Sequence, residues 1–203
     1  MKIYFARHGE SQANLLHIIS NRDLPHELTE RGHAQAVSLA ERFMTHRIRR
    51  IYCSPLLRAV QTANILAQEL RVDCEIVDGL REYDCGVAEG RSDEAAWKLW
   101  QAEYDAWVFN HNYGYQIEGG ESFHDVHRRF TTFVNRLIET KAGTDDEVIC
   151  ISHGGIYSVM FPWVMSNVTS EVIMKHGFDY TSCIVAEHSS KGLVGVEWNG
   201  IPI

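Results

Sequence analysis

The chain has 203 residues, enough for one domain with a sizeable core, and at 45% apolar and 23% charged it has the composition of an ordinary globular protein. Its net charge of −8 and the absence of any Lys/Arg-rich block make nucleic acids and anionic membrane surfaces poor candidate partners. No window approaches the ~18 continuous apolar residues of a membrane span, and Met1-Lys2-Ile3 leads into a strand without a signal-peptide pattern, so we expect a cytoplasmic protein.

The cysteines and histidines give no metal signature. The five cysteines, at 53, 74, 85, 150 and 183, are odd in number, widely spaced and mostly within apolar runs, which is typical of reduced core residues. No Cys-x-x-Cys occurs. His124 and His127 are three residues apart but lack a third ligand at a recognisable spacing, so we predict no metal site.

The first candidate site follows the opening strand. Ile3-Tyr4-Phe5-Ala6 is an unbroken apolar run that predicts a buried strand, and Arg7-His8-Gly9 comes directly after it. Open α/β sheets bind ligands just past the carboxyl ends of their strands. A neutral imidazole can attack phosphorus while a guanidinium holds two phosphate oxygens. For the tripeptide in isolation, a buried histidine satisfied by a neighbour, next to an arginine on the surface, is the favoured interpretation.

The following elements repeat this pattern. Residues 14–25 are polar and predict an irregular loop over the same sheet end; a helix runs from the N-cap Thr29 to Met44. Ile51-Tyr52-Cys53 predicts a strand, followed by Ser54-Pro55 as N-cap and first residue of a helix to about Leu70. Arg58 falls in the first turn of that helix, where a cation is mildly unfavourable, so it is a second candidate phosphate ligand.

The middle of the chain supplies a candidate acid and an aromatic segment. Glu82 follows a short strand at 75–77 and could protonate a departing alkoxide, although a solvated loop carboxylate is the simpler interpretation. Trp97, Trp100, Tyr104 and Trp107 share one helical face within residues 93–112. For these aromatic residues, packing against the core is favoured over a substrate-binding surface. A lid that does both is the alternative. A long helix then begins at Ser122, with a buried apolar stripe.

A second histidine directly follows a predicted strand, as the first does. The strand Val148 to Ser152 is followed by His153-Gly154-Gly155 and a helix to about Met165. Glycines that open a helix N-terminus after a strand suit a phosphate site. The chain closes with two strand-like runs, at 182–187 and 193–198, which predict a hairpin with its turn at 189–192.

Together these elements predict an α/β fold. We expect a three-layer sandwich with a mostly parallel central sheet, helices on both faces, an antiparallel edge and a small helical insert near 91–121 that serves as a cap or lid. Residues 1–203 would form a single domain. His8, Arg58, Glu82 and His153 would then meet at one end of the sheet.

Four motifs together resemble the histidine phosphatase superfamily, the phosphoglycerate-mutase-like proteins. They are Arg7-His8-Gly9-Glu10-Ser11, Ser54-Pro55-Leu56-Leu57-Arg58-Ala59-Val60-Gln61-Thr62-Ala63, Leu80-Arg81-Glu82 and Ser152-His153-Gly154-Gly155. Their order and approximate spacing match over nearly the whole chain. A lone Arg-His-Gly is weak evidence, but the set of four is highly specific.

The resemblance implies roles for individual residues. His8 would be the nucleophile that forms a phosphohistidine, Glu82 the general acid, and Arg7, Arg58 and His153 ligands of the phosphoryl oxygens. It further implies phosphate or substrate contacts from four residues: Asn14, Ser20, Asn21 and the backbone at Gly154. No metal or other cofactor is required.

The sequence favours a phosphatase over a mutase. Mutases of this type carry extra arginines between the positions of Tyr83 and Glu121, but here Arg91 and Lys98 stand alone against eight carboxylates. We therefore expect a metal-independent phosphatase of small phosphorylated metabolites. A cofactor-dependent phosphoglycerate mutase is the first alternative, and a non-catalytic phosphate-binding or scaffold protein is the second. The aromatic insert also allows a homodimer, although nothing in the sequence specifies one.

Overall fold

One mixed sheet runs through the molecule. The computed structural model of the chain describes residues 1–141, 143–190 and 192–203. Its strands are β1 (Lys2–Arg7), β2 (Ile48–Cys53), β3 (Cys74–Ile76), β4 (Glu147–Ser152), β5 (Cys183–Ser189), β6 (Gly192–Trp198) and β7 (Ile201–Pro202). They lie in the order β3-β2-β4-β1-β5-β6-β7.

The sheet is parallel on one side and antiparallel on the other. Strands β3, β2, β4 and β1 run parallel, whereas β5, β6 and β7 are antiparallel to their neighbours. The mostly parallel sheet with an antiparallel edge is therefore confirmed. The hairpin is present as β5 and β6, and one residue of its predicted turn, Lys191, lies outside the described residues.

Helices cover both faces of the sheet. They are α1 (Gln12–Leu15), α2 (Glu30–Phe43), α3 (Leu57–Leu70), α4 (Glu94–Val108), α5 (Phe123–Lys141), α6 (Gly154–Val164) and α7 (Ser170–His176), with 3₁₀ turns at Asp78–Leu80 and Gly86–Ala88. None of the described helices is long and apolar enough to cross a membrane.

Two buried clusters make up the core, one on each face. Successive strand residues alternate between them: Ile3 and Phe5 pack with α4, α5 and α6, while Tyr4 and Ala6 pack with α2 and α3. Side chains of a strand point alternately to opposite faces, so a strand that is apolar throughout must be covered on both. The predicted three layers are confirmed.

Two boundaries differ from the prediction. Helix α3 begins at Leu57 rather than at Ser54-Pro55, because the Ser54 hydroxyl accepts from the Leu56 amide at 3.3 Å and so closes a local turn ahead of the helix. Arg58 still lies in the first turn. The stretch predicted as irregular from residue 14 begins inside the short helix α1, where Ser11 and Asn14 form a reciprocal cap.

Candidate active site

The register of the parallel strands places two histidines side by side. Strands β1 and β4 are neighbours, and the last residue of β1, Arg7, pairs with the last residue of β4, Ser152. The next residue in each chain segment is a histidine, so His8 and His153 leave the sheet together. Their ring centroids are 5.0 Å apart. Two residues far apart in sequence are thus brought to one edge by strand pairing.

His8 is held as a neutral imidazole with a defined tautomer. The side chain is 2% exposed, and its Nδ1 lies 2.6 Å from the Gly9 carbonyl oxygen. A carbonyl oxygen only accepts, so Nδ1 carries the proton and Nε2 keeps its lone pair. Burial, reinforced by the charges of Arg58 and Arg7, lowers the pKa of His8 well below its usual value. Nε2 is therefore a nucleophile that needs no prior deprotonation.

Two guanidinium groups adjoin this nitrogen. Arg58 donates from Nε to His8 Nε2 at 3.0 Å and from Nη1 to the Ser20 carbonyl oxygen at 2.6 Å. Burial lowers the pKa of Arg58 to about 10, which leaves it charged at neutral pH. Arg7 donates from Nη1 to the Phe178 carbonyl oxygen at 2.5 Å. Its Nε is buried and has no hydrogen-bond partner among the residues that the structure describes.

The second histidine also presents an unsatisfied nitrogen. His153 is 1% exposed, and its Nε2 lies 2.7 Å from Ser54 Oγ. A hydroxyl can accept and donate at once, so Ser54 Oγ, which accepts from the Leu56 amide, can also donate its hydrogen to His153 Nε2. This arrangement puts the ring proton on Nδ1, which is buried and unpartnered within the described part of the chain. Burial and nearby Arg58 lower the pKa of His153 well below its usual value.

Two buried nitrogens without a hydrogen-bond partner lie on the cavity. A buried polar group without a partner costs about 1–3 kcal/mol, and such groups are rare unless they serve a function. Arg7 Nε and His153 Nδ1 are two such donors on one cavity. An anion with several oxygens would satisfy both.

Glu82 completes the set of reacting groups. It is buried, with Oε2 accepting from the Gly155 amide at 2.9 Å and Oε1 accepting from the Tyr83 amide at 3.1 Å. Burial raises the pKa of Glu82, and the opposing effects of these amides and of Arg58 are smaller. A Cβ on Gly155 would lie 2.6 Å from Glu82 Oε2, so only glycine leaves room for the carboxylate.

All nine residues proposed from the sequence line one cavity of about 360 Å³: Arg7, His8, Asn14, Ser20, Asn21, Arg58, Glu82, His153 and Gly154. Asn14 Oδ1 accepts from the amide and the hydroxyl of Ser11, which orients its amide group. The Asn21 side chain donates to Cys85 Sγ instead, and Ser20 Oγ pairs with the His26 ring at 2.8 Å. Asn14 is thus better placed than Asn21 to contact a ligand.

Sequence reasoning missed several residues around the cavity. Ser54 orients His153, and the Phe178 carbonyl holds Arg7. A hydrogen bond to a backbone carbonyl oxygen, such as that of Phe178, cannot be inferred from a sequence. Trp97, Trp100 and Tyr104 pack against the core, as the sequence favours, and they also line the cavity. Their helical spacing identified the face but not what it touches.

The histidines outside the cavity do not form part of a metal-ligand group. Within residues 1–141, 143–190 and 192–203, no cluster of three or more His, Cys, Asp or Glu side chains is positioned to hold a metal ion. His124 and His127 instead contact the ring of Phe123.

Comparison with known proteins places the chain in a family. The model of the histidine phosphatase superfamily (branch 1) matches residues 3–200. Proteins named probable phosphoglycerate mutase GpmB, from Salmonella choleraesuis (strain SC-B67) and Cronobacter sakazakii (strain ATCC BAA-894), are each 32% identical over 158 residues, which is 76% of this chain and 70% of theirs.

Solved structures agree on the fold. The α-ribazole phosphatase from Shigella flexneri is 25% identical with a TM-score of 0.79, and the match covers 100% of this chain and 99% of that one. A mycobacterial glucosyl-3-phosphoglycerate phosphatase in complex with VO3 is 23% identical with a TM-score of 0.81, over 98% of both chains. The chain belongs to the histidine phosphatase superfamily, whose members are phosphatases or mutases.

Proposed function

We propose that the protein is a metal-independent phosphatase that hydrolyses small phosphomonoesters through a phosphohistidine on His8. One observation carries the proposal: a neutral imidazole whose Nε2 lone pair accepts from Arg58, two guanidinium groups and a buried carboxyl of raised pKa line the same cavity. These are a nucleophile, a charge clamp and an acid. The clamp supplies the charge stabilisation that magnesium provides in many phosphoryl-transfer enzymes.

In the first step, the phosphoryl group would replace the contact between Arg58 and His8. Arg58 Nε, Arg7 Nε and His153 Nδ1 then donate to phosphoryl oxygens, together with the amide of Gly154 at the start of α6. His8 Nε2 attacks phosphorus, the P–O bond to the leaving group breaks, and the leaving oxygen takes the proton from Glu82.

The second step returns the enzyme to its starting state. Glu82, now ionised, accepts a proton from a water molecule whose oxygen attacks the phosphohistidine. The P–N bond breaks, its electron pair returns to His8 Nε2, and inorganic phosphate leaves. Each side chain ends in its original protonation state, so no co-reactant other than water is needed.

The local charges support hydrolysis over mutase activity. Arg91 makes a bidentate pair with Asp93, both contacts at 2.8 Å, and Lys98 pairs with Glu94 at 2.7 Å. Neither is among the described residues that line the cavity. A phosphoglycerate mutase is the second candidate because the curated relatives carry that name. The complete set of reacting groups argues against a non-catalytic binding protein.

Hydrolysis of an aryl phosphate in EDTA tests the proposal. We expect turnover by the wild type, retained in excess chelator, and at least a 10³-fold loss in His8→Ala because covalent catalysis is removed. His124→Ala changes an exposed histidine outside the cavity and serves as the matched control. Activity that survives His8→Ala, or that EDTA abolishes, would refute the mechanism.

A further inference from the structure

An aromatic wall lines the same cavity as the phosphoryl-binding groups. Trp97, Trp100 and Tyr104 lie on α4, and each is only partly buried. The rings of Trp100 and Tyr104 are nearly parallel, at 13° with centroids 5.3 Å apart, and Trp97 meets Trp100 edge-on at 5.7 Å. The cavity thus contains extended ring surface near the reacting atoms.

This wall is built into the fold. Trp97 Nε1 donates to the His17 carbonyl oxygen at 2.8 Å, and Ile19 exchanges backbone hydrogen bonds with Gly90 and Arg91 at 2.8 and 2.9 Å. These contacts join the start of α4 to the loop that forms another part of the cavity lining. A surface held in place before binding loses little conformational entropy when a ligand packs on it.

The arginine, histidine and glutamate residues of the lining are all among the groups assigned to phosphoryl transfer: Arg7, His8, Arg58, Glu82 and His153. The other described lining residues are uncharged and include Ile18, Ile19 and Phe178. A second phosphate or carboxylate on the substrate would therefore lose its hydration without gaining a further cationic partner, which is costly. The volume of about 360 Å³ leaves room beside the phosphoryl group for a leaving group of modest size.

We propose that the preferred substrates are phosphomonoesters with a flat, uncharged aromatic leaving group that packs against Trp100 and Tyr104. This substrate class rests on the proposed phosphatase function. A planar ring gains both burial and ring–ring contact on this wall, whereas a linear alkyl chain gains burial alone. The same wall disfavours sugar acids and other substrates with a second anionic group.

Binding of non-hydrolysable phosphonates tests this preference without turnover. We would measure the Kd of benzylphosphonate, butylphosphonate and 4-carboxybenzylphosphonate by calorimetry. The benzyl compound should bind the wild type about fivefold more tightly than the butyl compound, within the range expected for aromatic contacts. The carboxylated analogue should bind at least tenfold more weakly than the benzyl compound.

Variants test whether the aromatic wall causes the preference for the benzyl compound. Trp100→Leu keeps apolar volume but removes the ring, so the benzyl-to-butyl ratio should fall to about two or less; Trp100→Phe should retain most of the preference. Trp163→Leu removes a tryptophan that is 47% exposed outside the cavity, and its ratio should equal that of the wild type.

Two groups of outcomes separate this inference from the proposed function. Equal affinities for the benzyl and butyl compounds, a ratio unaffected by Trp100→Leu, or tight binding of the carboxylated analogue would overturn the aromatic subsite, even if esters are hydrolysed. A clear benzyl preference without any hydrolysis of benzyl phosphate would support the subsite and refute the phosphatase. Benzyl and butyl phosphate release alcohols of similar acidity, so their kcat/KM ratio should match the ratio of affinities.

Discussion

Burial shifts the pKa values of the proposed nucleophile and the proposed general acid in opposite directions. It lowers the pKa of His8 and raises the pKa of Glu82, because in each case the charged form loses hydration. The nucleophile therefore stays neutral at a pH where the carboxyl still holds its proton. Two titratable groups pushed in opposite directions in one cavity are typical of a paired nucleophile and acid.

This pairing predicts the pH dependence of the wild type. As pH falls through the lowered pKa of His8, the nucleophile is protonated; as pH rises through the raised pKa of Glu82, the acid is lost. We expect a bell-shaped profile of kcat/KM, with its acidic limb set by His8 and its alkaline limb by Glu82, measured with butyl phosphate. A flat profile from mildly acidic to alkaline pH would contradict the role of Glu82.

Glu82→Gln should separate substrates by their leaving groups. An alkoxide needs the proton, so kcat/KM for butyl phosphate should fall by about 10²–10⁴-fold and lose its alkaline limb. A nitrophenolate departs as a stable anion, so kcat/KM for nitrophenyl phosphate should fall far less. Equal losses for both substrates would show that Glu82 contributes by position or charge rather than as the acid.

The glycine beside Glu82 offers a steric test of the same group. In Gly155→Ala, the new Cβ would meet Glu82 Oε2 at 2.6 Å and push the carboxylate from its place. A displacement of about 1 Å can cost on the order of 10²-fold in rate, so we expect a loss of that size in kcat/KM with butyl phosphate. In the control Gly114→Ala, outside the cavity, the new Cβ meets Asn112 Oδ1 at an ordinary 3.6 Å. The two variants should differ by at least fivefold, with Tm recorded for both; equal losses would disprove the steric argument.

At the scale of elements, strand ends were predictable and tertiary hydrogen bonds were not. Apolar runs locate the ends of β1 and β4, and the parallel topology then requires His8 and His153 to meet. The hydrogen bond of Ser54 with His153 joins distant parts of the chain, and residue spacing does not predict it. The periodicity of α4 predicts a helix, but it does not tell whether the aromatic face meets the core, the cavity or both.

Helix α4 also carries a carboxyl that couples folding to pH. Glu103 is fully buried, with Oε1 accepting from the Ile117 amide at 2.9 Å and Oε2 unpartnered among the described residues. Burial and, to a smaller extent, Asp84 and Glu121 raise the pKa of Glu103 from 4.5 to about 7. The folded state then holds this proton more tightly than the unfolded state does.

The sign of the resulting stability change follows from linkage. Between pH 4.5 and pH 7 the folded protein binds the Glu103 proton that the unfolded chain has lost, so this group makes unfolding easier as pH rises. Glu103→Gln removes the titration, and its free energy of unfolding relative to wild type should increase by about 2–3 kcal/mol from pH 5 to pH 8, measured in urea. Glu94→Gln, on the exposed side of the same helix, is the control and should show no such trend. A difference between Glu103→Gln and wild type that does not change with pH would show that Glu103 titrates alike in both states.

At the scale of the whole molecule, the site draws on segments from both halves of the chain. The proposed phosphoryl ligands Arg7, Arg58 and His153 come from β1, the first turn of α3 and the start of α6, while α4 supplies the aromatic wall. Parallel crossovers return each strand to the same edge, which is why residues distant in sequence share one cavity. A net charge of −8 surrounds this cationic centre, so the phosphate-binding charge is local rather than a property of the surface.

That charge distribution predicts the fate of the phosphoenzyme. A mutase must hold a second anionic group while the enzyme carries the phosphohistidine, but the cations among the described lining residues are Arg7 and Arg58, both assigned to the phosphoryl group. With 3-phosphoglycerate and a 2,3-bisphosphoglycerate primer, followed by ³¹P NMR, we expect any inorganic phosphate released to exceed the 2-phosphoglycerate formed, and His8→Ala to abolish both. Isomerisation faster than phosphate release would contradict this expectation. It would mean that the cavity retains the second anion long enough for that anion to take the phosphoryl group before water does.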